Sequence, residues 1–154
     1  MTAYEYFGRA ERVEQLSAEI YAQLARDFAA DKEVSAAFRA LAEEEQQHAL
    51  RIRLMRERYR TNPALFERME WLEEDLDAVD RYVRELRDEV ARGAWGTEVA
   101  LVHPRLLEME ERLGLHAERM ARDADPDVRG FFEALAQQDR AHHRLFAPAP
   151  AGPR

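Results

Sequence analysis

The stretch Val34-Ser-Ala-Ala-Phe-Arg-Ala-Leu-Ala-Glu-Glu-Glu-Gln-Gln-His48 aligns without a gap on Val128-Arg-Gly-Phe-Phe-Glu-Ala-Leu-Ala-Gln-Gln-Asp-Arg-Ala-His142. The valine, Phe38 with Phe132, the Ala-Leu-Ala core and the closing histidine coincide. Upstream, Leu24-Ala-Arg-Asp27 matches Met120-Ala-Arg-Asp123, with the turn between the two blocks two residues shorter in the second copy. A repeat of this kind marks one supersecondary unit used twice. Both copies are rich in Ala, Glu, Leu and Arg, which favour helix, and alternating β-branched runs of strand type are absent. The unit is a helical hairpin, and the chain is all-α.

Working outward, sparse proline and glycine divide the chain into five predicted helices. The first runs from about Arg9 to Ala29 and the second from about Lys32 to Tyr59, stopped by Asn62-Pro63. The third, about Pro63 to Arg92, starts on a proline tolerated in a first turn and ends at Gly93. Its Leu65, Met69, Leu72, Leu76, Val79, Val83, Leu86 and Val90 form a heptad seam. Thirty helical residues would span ~45 Å, enough to carry the chain from one end of a bundle to the other. That seam suits a crossover lying on the bundle, or a dimer interface. The fourth helix lies between Thr97 and Asp123, with Pro104 expected to kink it or mark its true start. The fifth runs from Pro126 to Phe146. Residues 1–146 form one domain, and the Pro/Ala tail 147–154 is expected to be disordered.

Composition narrows the function. The 154 residues carry 31 acidic and 23 basic side chains, a formal charge of −8, which makes nucleic acid a poor partner. No cysteine is present, so disulfides, thiolate metal sites and a cysteine nucleophile are excluded. No run approaches the ~18 apolar residues of a membrane span, and no secretory signal opens the chain. The expectation is a soluble, cytoplasmic protein with no membrane partner.

The chemistry sits where polar residues break the apolar seams. In the second helix Phe38, Leu41, Glu45, His48 and Ile52 share one face; in the fifth, Phe132, Leu135, Asp139, His142 and Phe146 do the same. Each helix thus turns an acid and a histidine, three residues apart, toward the core. Buried carboxylates need partners, and a pair of divalent metals supplies them. The matching acids on the other two helices are Glu14, among Ala10, Ser17, Ala18 and Tyr21, and Glu110, its counterpart in the repeat. Glu108 and Glu111 compete with Glu110 if the helix phase drifts at Pro104, and His143 competes with His142. Arg9 and Arg12 offer Glu14 an alternative as an ion pair. The resulting set is Glu14, Glu45, His48, Glu110, Asp139 and His142, whose four negative charges balance two divalent ions.

Glu14 seven residues before Tyr21, followed by Phe38 and Leu-Ala-Glu-Glu-Glu-Gln-Gln-His48, resembles the first half of a rubrerythrin-type, ferritin-like diiron protein. The second half is similar more loosely, and together they cover about Ala10 to Phe146. The resemblance implies a ferritin-like four-helix bundle of two duplicated hairpins joined by a long helical crossover. It implies two iron ions, with manganese or a mixed pair also compatible, bridged by Glu45 with Asp139 or with Glu110. It implies that O2 or hydrogen peroxide is reduced there as Fe(II) is oxidised, that Tyr21 hydrogen-bonds a ligand carboxylate, and that the chain forms a homodimer. Three departures stand out. Asp139 occupies a position that is usually glutamate, and Leu107 replaces an additional carboxylate. The cysteine-rich electron-delivery domain of full-length members has no counterpart in this sequence, so the electron donor is open. The alternative expectation is a metal-stapled bundle acting as a structural or interaction protein.

Overall fold

The computed structural model describes residues 1–146, so the expected tail 147–154 lies outside the described residues. Helix α1 spans Ala3–Asp27 and α2 Lys32–Thr61; α3 spans Glu73–Ala91, α4 Val99–Asp123 and α5 Pro126–Phe146. A short 3-10 turn, Pro63–Phe66, precedes α3, and no strand occurs among the described residues.

Helix α1 begins six residues before the predicted Arg9 because its start is capped. The Thr2 hydroxyl accepts from the Glu5 N–H at 3.2 Å, and the Glu5 carboxylate accepts from the Thr2 N–H at 2.7 Å. This reciprocal pair satisfies donors that a helix start otherwise leaves free. The added turns bring Tyr6 and Phe7 into the core. Asp31 caps α2 through a single bond, its carboxylate accepting from the Val34 N–H at 3.2 Å.

The crossover is shorter than the heptad pattern predicts. Residues 69–72 are not helical, and α3 proper has 19 residues, or ~28 Å. Glu73, Glu74 and Asp75 occupy its first turn, where negative charge complements the helix dipole and favours a start at that point. Of the seam, Leu76, Val79, Val83, Leu86 and Val90 are buried on one face of α3, whereas Leu65 and Leu72 are only partly covered. Gly93, with φ of 73°, ends α3 in the left-handed conformation open to glycine. Pro104 neither starts nor interrupts α4. It is the sixth residue of that helix, and the carbonyl its missing N–H leaves free belongs to exposed Ala100.

Helix α1 pairs with α2 and α4 with α5, giving the two hairpins the repeat predicts, while α3 lies along α1 and also touches α4. The hairpins meet through aromatic rings. Tyr6 and Phe7 pack on Phe132 near one end, and Tyr21 stacks between Phe38 and Phe146 toward the other. No helix is long and apolar enough to cross a membrane. The result is an all-α, ferritin-like bundle, and the polar residues lie midway along its hairpin seam.

Candidate metal centre

All six residues expected to hold metal are buried: Glu14, Glu45, His48, Glu110, Asp139 and His142. They arrive from α1, α2, α4 and α5, one acid from each outer helix of the repeat and an acid with a histidine from each inner one. The three-residue spacing within α2 and α5 puts each histidine on the same inward face as its acid.

The six side chains fall into two overlapping groups. Glu14, Glu45 and His48 form one; Glu45, Glu110, Asp139 and His142 form the other, and within each group the donor atoms lie within 4.8 Å of one another. His48 Nδ1 is 3.4 Å from Glu45 Oε2 and 3.8 Å from Glu14 Oε2. His142 Nδ1 is 2.8 Å from Glu45 Oε1 and 3.4 Å from Glu110 Oε1. The two imidazoles stack with centroids 5.6 Å apart. Glu45, fully buried, is the member common to both groups.

These approaches lack hydrogen-bond geometry. Ten buried side-chain polar atoms have no hydrogen-bond partner among the described residues, and seven belong to this cluster: Glu14 Oε2, both Glu45 oxygens, His48 Nδ1, Glu110 Oε2, Asp139 Oδ1 and His142 Nδ1. Such concentration of orphaned acceptors is costly without a bound cation. Four carboxylates and two imidazoles, with lone pairs converging, are a donor set that fits a pair of divalent transition metals.

Electrostatics agree with that demand. Burial, followed by the charges of Glu110 and Glu14, pushes Glu45 up to about 8. Burial and the charges of Glu14, Glu110 and Glu45 push Asp139 well above its usual value. For the histidines burial works downward, but the carboxylates outweigh it: Glu14 and Glu45 lift His48 to about 10, and Glu110 and Glu45 lift His142 to about 12. Burial also raises Glu14, yet its contacts with His48 and Glu45 hold it below the usual carboxylate value. Without metal, protons therefore occupy positions that cations would take.

Two neighbours orient the cluster. The buried Tyr21 hydroxyl donates to Glu110 Oε1, as its expected role requires. Glu44 Oε2 lies 2.5 Å from His142 Nε2, accepting from the ring's far side and leaving Nδ1 to face inward. Sequence reading did not find Glu44. It stands beside Glu45 on an exposed face of α2, and only the approach of α5 gives it a partner. In the second repeat the same position is Gln138, so the two hairpins are unequal here.

The competing residues lie elsewhere. Arg9 pairs with Asp77, and Arg12 with Glu19, so neither takes Glu14. Glu108 and Glu111 are exposed, and His143 is half-buried away from the cluster. His116 is buried against Tyr6 and Asp75.

No curated protein and no solved structure matches the chain. The family model described as Rubrerythrin matches residues 5–149, nearly the whole sequence. With the duplicated hairpins and the buried carboxylate–histidine cluster between them, the chain belongs to the rubrerythrin family.

Proposed function

We propose that the protein is an oxidoreductase with a carboxylate-bridged diiron centre, coupling Fe(II) oxidation to reduction of hydrogen peroxide or O2. The observation that carries this reading is Glu45, shared by both donor groups with neither oxygen hydrogen-bonded. A carboxylate so placed is suited to bridging two ions. Glu14 and His48 would complete one coordination sphere, and Glu110, Asp139 and His142 the other. When bound, two ferrous ions supply two electrons and open positions for the oxidant.

The chain's own residues fix the geometry. Glu44 and Tyr21 hold His142 and Glu110 from behind. Phe38, Phe132, Leu135 and Phe146 continue the faces that carry the ligands and keep bulk water from the buried cluster. Asp139, one methylene shorter than its counterpart Glu45, lines with Glu14 a small cavity beside the cluster.

The test is an anaerobic Fe(II) titration of metal-free protein, followed by peroxide or air, with stoichiometry and near-ultraviolet absorbance recorded together. The expected outcome is about two irons per chain and an oxidant-dependent oxo-bridged ferric band. Binding without oxidation would move the assignment to a metal-stapled structural bundle, and absence of binding would refute the site.

A further inference from the structure

A second polar array lies on the hairpin seam nearer the start of α1. The Tyr6 ring is buried, and its hydroxyl is 2.8 Å from His116 Nε2. His116 Nδ1 is 2.6 Å from Asp75 Oδ2, and the other oxygen of Asp75 is held by Arg119. Asp75 is an acceptor for Nδ1–H, so Nε2 carries the lone pair and the phenol is the donor. A carboxylate behind an imidazole fixes its tautomer and stabilises the cation formed when the ring takes a proton. Here the proton within reach belongs to a phenol.

That phenol does not ionise unaided. Burial, then the charges of Asp75 and Glu14, pushes Tyr6 far above the usual tyrosine value. Burial outweighs Asp75 at His116 and holds it below its ordinary value, neutral and able to accept. Loss of the Tyr6 proton therefore has to accompany loss of an electron.

Tyr6 also stands between the surface and the metal centre. On one side its ring centroid is 4.8 Å from that of half-buried Trp71. On the other, Tyr6, His116, Glu14 and Asp139 line one cavity of about 30 Å³, counted over positions open to a water's centre, which is room for about one or two waters. Glu14 follows Tyr6 by eight residues on α1, or ~12 Å along the axis. That separation is too long for a hydrogen bond and short for passage of a single electron.

We propose that Tyr6 is a redox-active tyrosine that, with Trp71, carries single electrons from the protein surface to the metal centre, His116 accepting its proton. The inference rests on the diiron reading above. After one hydrogen peroxide has taken the two ferrous electrons, a second draws its electrons from Tyr6; as each leaves, the O–H bond breaks and the proton crosses to His116 Nε2. A neutral phenoxyl radical remains on Tyr6, and an imidazolium on His116 faces Asp75. A one-electron reductant of the ascorbate or reduced-flavin class returns an electron through Trp71, and the proton moves back from Nε2 to Tyr6 Oη. Each cycle passes one electron and leaves the residues unchanged. Two cycles with two solvent protons convert one hydrogen peroxide into two waters.

The experiment mixes ferrous-loaded protein with an excess of hydrogen peroxide, freezes it within milliseconds and records the electron paramagnetic resonance spectrum. A neutral tyrosyl radical is expected in the wild type, lost in Tyr6→Phe and several-fold less abundant in His116→Gln at equal iron stoichiometry. In Trp71→Phe, reduction of the radical by ascorbate slows several-fold. A second readout needs no iron: the imidazole ¹⁵N spectrum of metal-free protein should show His116 neutral and protonated on Nδ1. A His116 ring protonated on Nε2 overturns the proposal. If iron fails to bind, the diiron reading falls and this inference with it. If iron binds and is oxidised but the radical persists in Tyr6→Phe, or disappears instead in Tyr21→Phe, this inference alone falls.

Discussion

Replacing Glu45 with glutamine should stabilise the metal-free protein while destroying its response to metal. Glu45 is fully buried with neither oxygen hydrogen-bonded. Burial and the neighbouring charges of Glu110 and Glu14 push its carboxyl up to about 8, against 4.5 unperturbed. The native state thus holds a proton that the unfolded chain gives up above pH 4.5, so stability falls as pH rises from there through 8. Each pH unit costs about 1.4 kcal/mol, or roughly 3 kcal/mol by pH 7. A glutamine stays neutral at every pH, and its carboxamide can donate to the carboxylates around it. Glu45→Gln should therefore gain roughly 3 kcal/mol at pH 7, about 6–12 °C in melting temperature for a chain of this size, and less than about 1 kcal/mol at pH 5. The assay is chemical and thermal denaturation of metal-free wild type and variant at both pH values, repeated with Mn(II) or anaerobic Fe(II). Ligand binding stabilises only what binds it, so the wild type should gain and the variant should not. A variant less stable than wild type at pH 7 without metal, or one equally stabilised by metal, would refute the reasoning.

Other outcomes follow from neighbouring contacts. Asp139→Glu should keep the stoichiometry of about two metals per chain, because the repeat pairs Asp139 with Glu45; complete loss of one metal by mass spectrometry or titration would show that the shorter arm is required. Tyr21→Phe removes the buried donor to Glu110, an expected loss of about 1–3 kcal/mol on denaturation of the metal-free protein; an unchanged midpoint would mean that the hydrogen bond has no net value. Gly114→Ala places a methyl 3.5 Å from Asp139 Cβ, an ordinary contact. It should raise the melting temperature through about 1 kcal/mol of helix propensity with metal stoichiometry intact, and a lower melting temperature would show that α4 and α5 have no room there.

The sequence by itself determined the class and the repeat. Helix-forming composition, a gapless duplication from Val34 and Val128, and an acid–histidine interruption at one phase of each seam suffice for two hairpins that turn Glu45, His48, Asp139 and His142 inward. These are local facts, since a 3.6-residue period specifies which side chains share a face. Proline and glycine at Asn62-Pro63, Gly93 and Pro126 ended the helices close to where the structure ends them. The pattern misled between Pro63 and Leu72, where apolar spacing continued but the cluster of acids at Glu73–Asp75 fixed a new helix start, and Pro104 lies inside α4 rather than at its start.

Tertiary structure decided what no period encodes. Which of Glu108, Glu110 and Glu111 faces inward depends on the phase α4 keeps through Pro104. Glu44 gains its role only because α5 brings His142 within 2.5 Å. The Tyr6–His116–Asp75 array draws one residue each from α1, α4 and α3, separated by 110 and 41 positions in the chain. Hydrogen bonds of that kind act over about 3 Å in space, whereas sequence reading sees neighbours only along one helix.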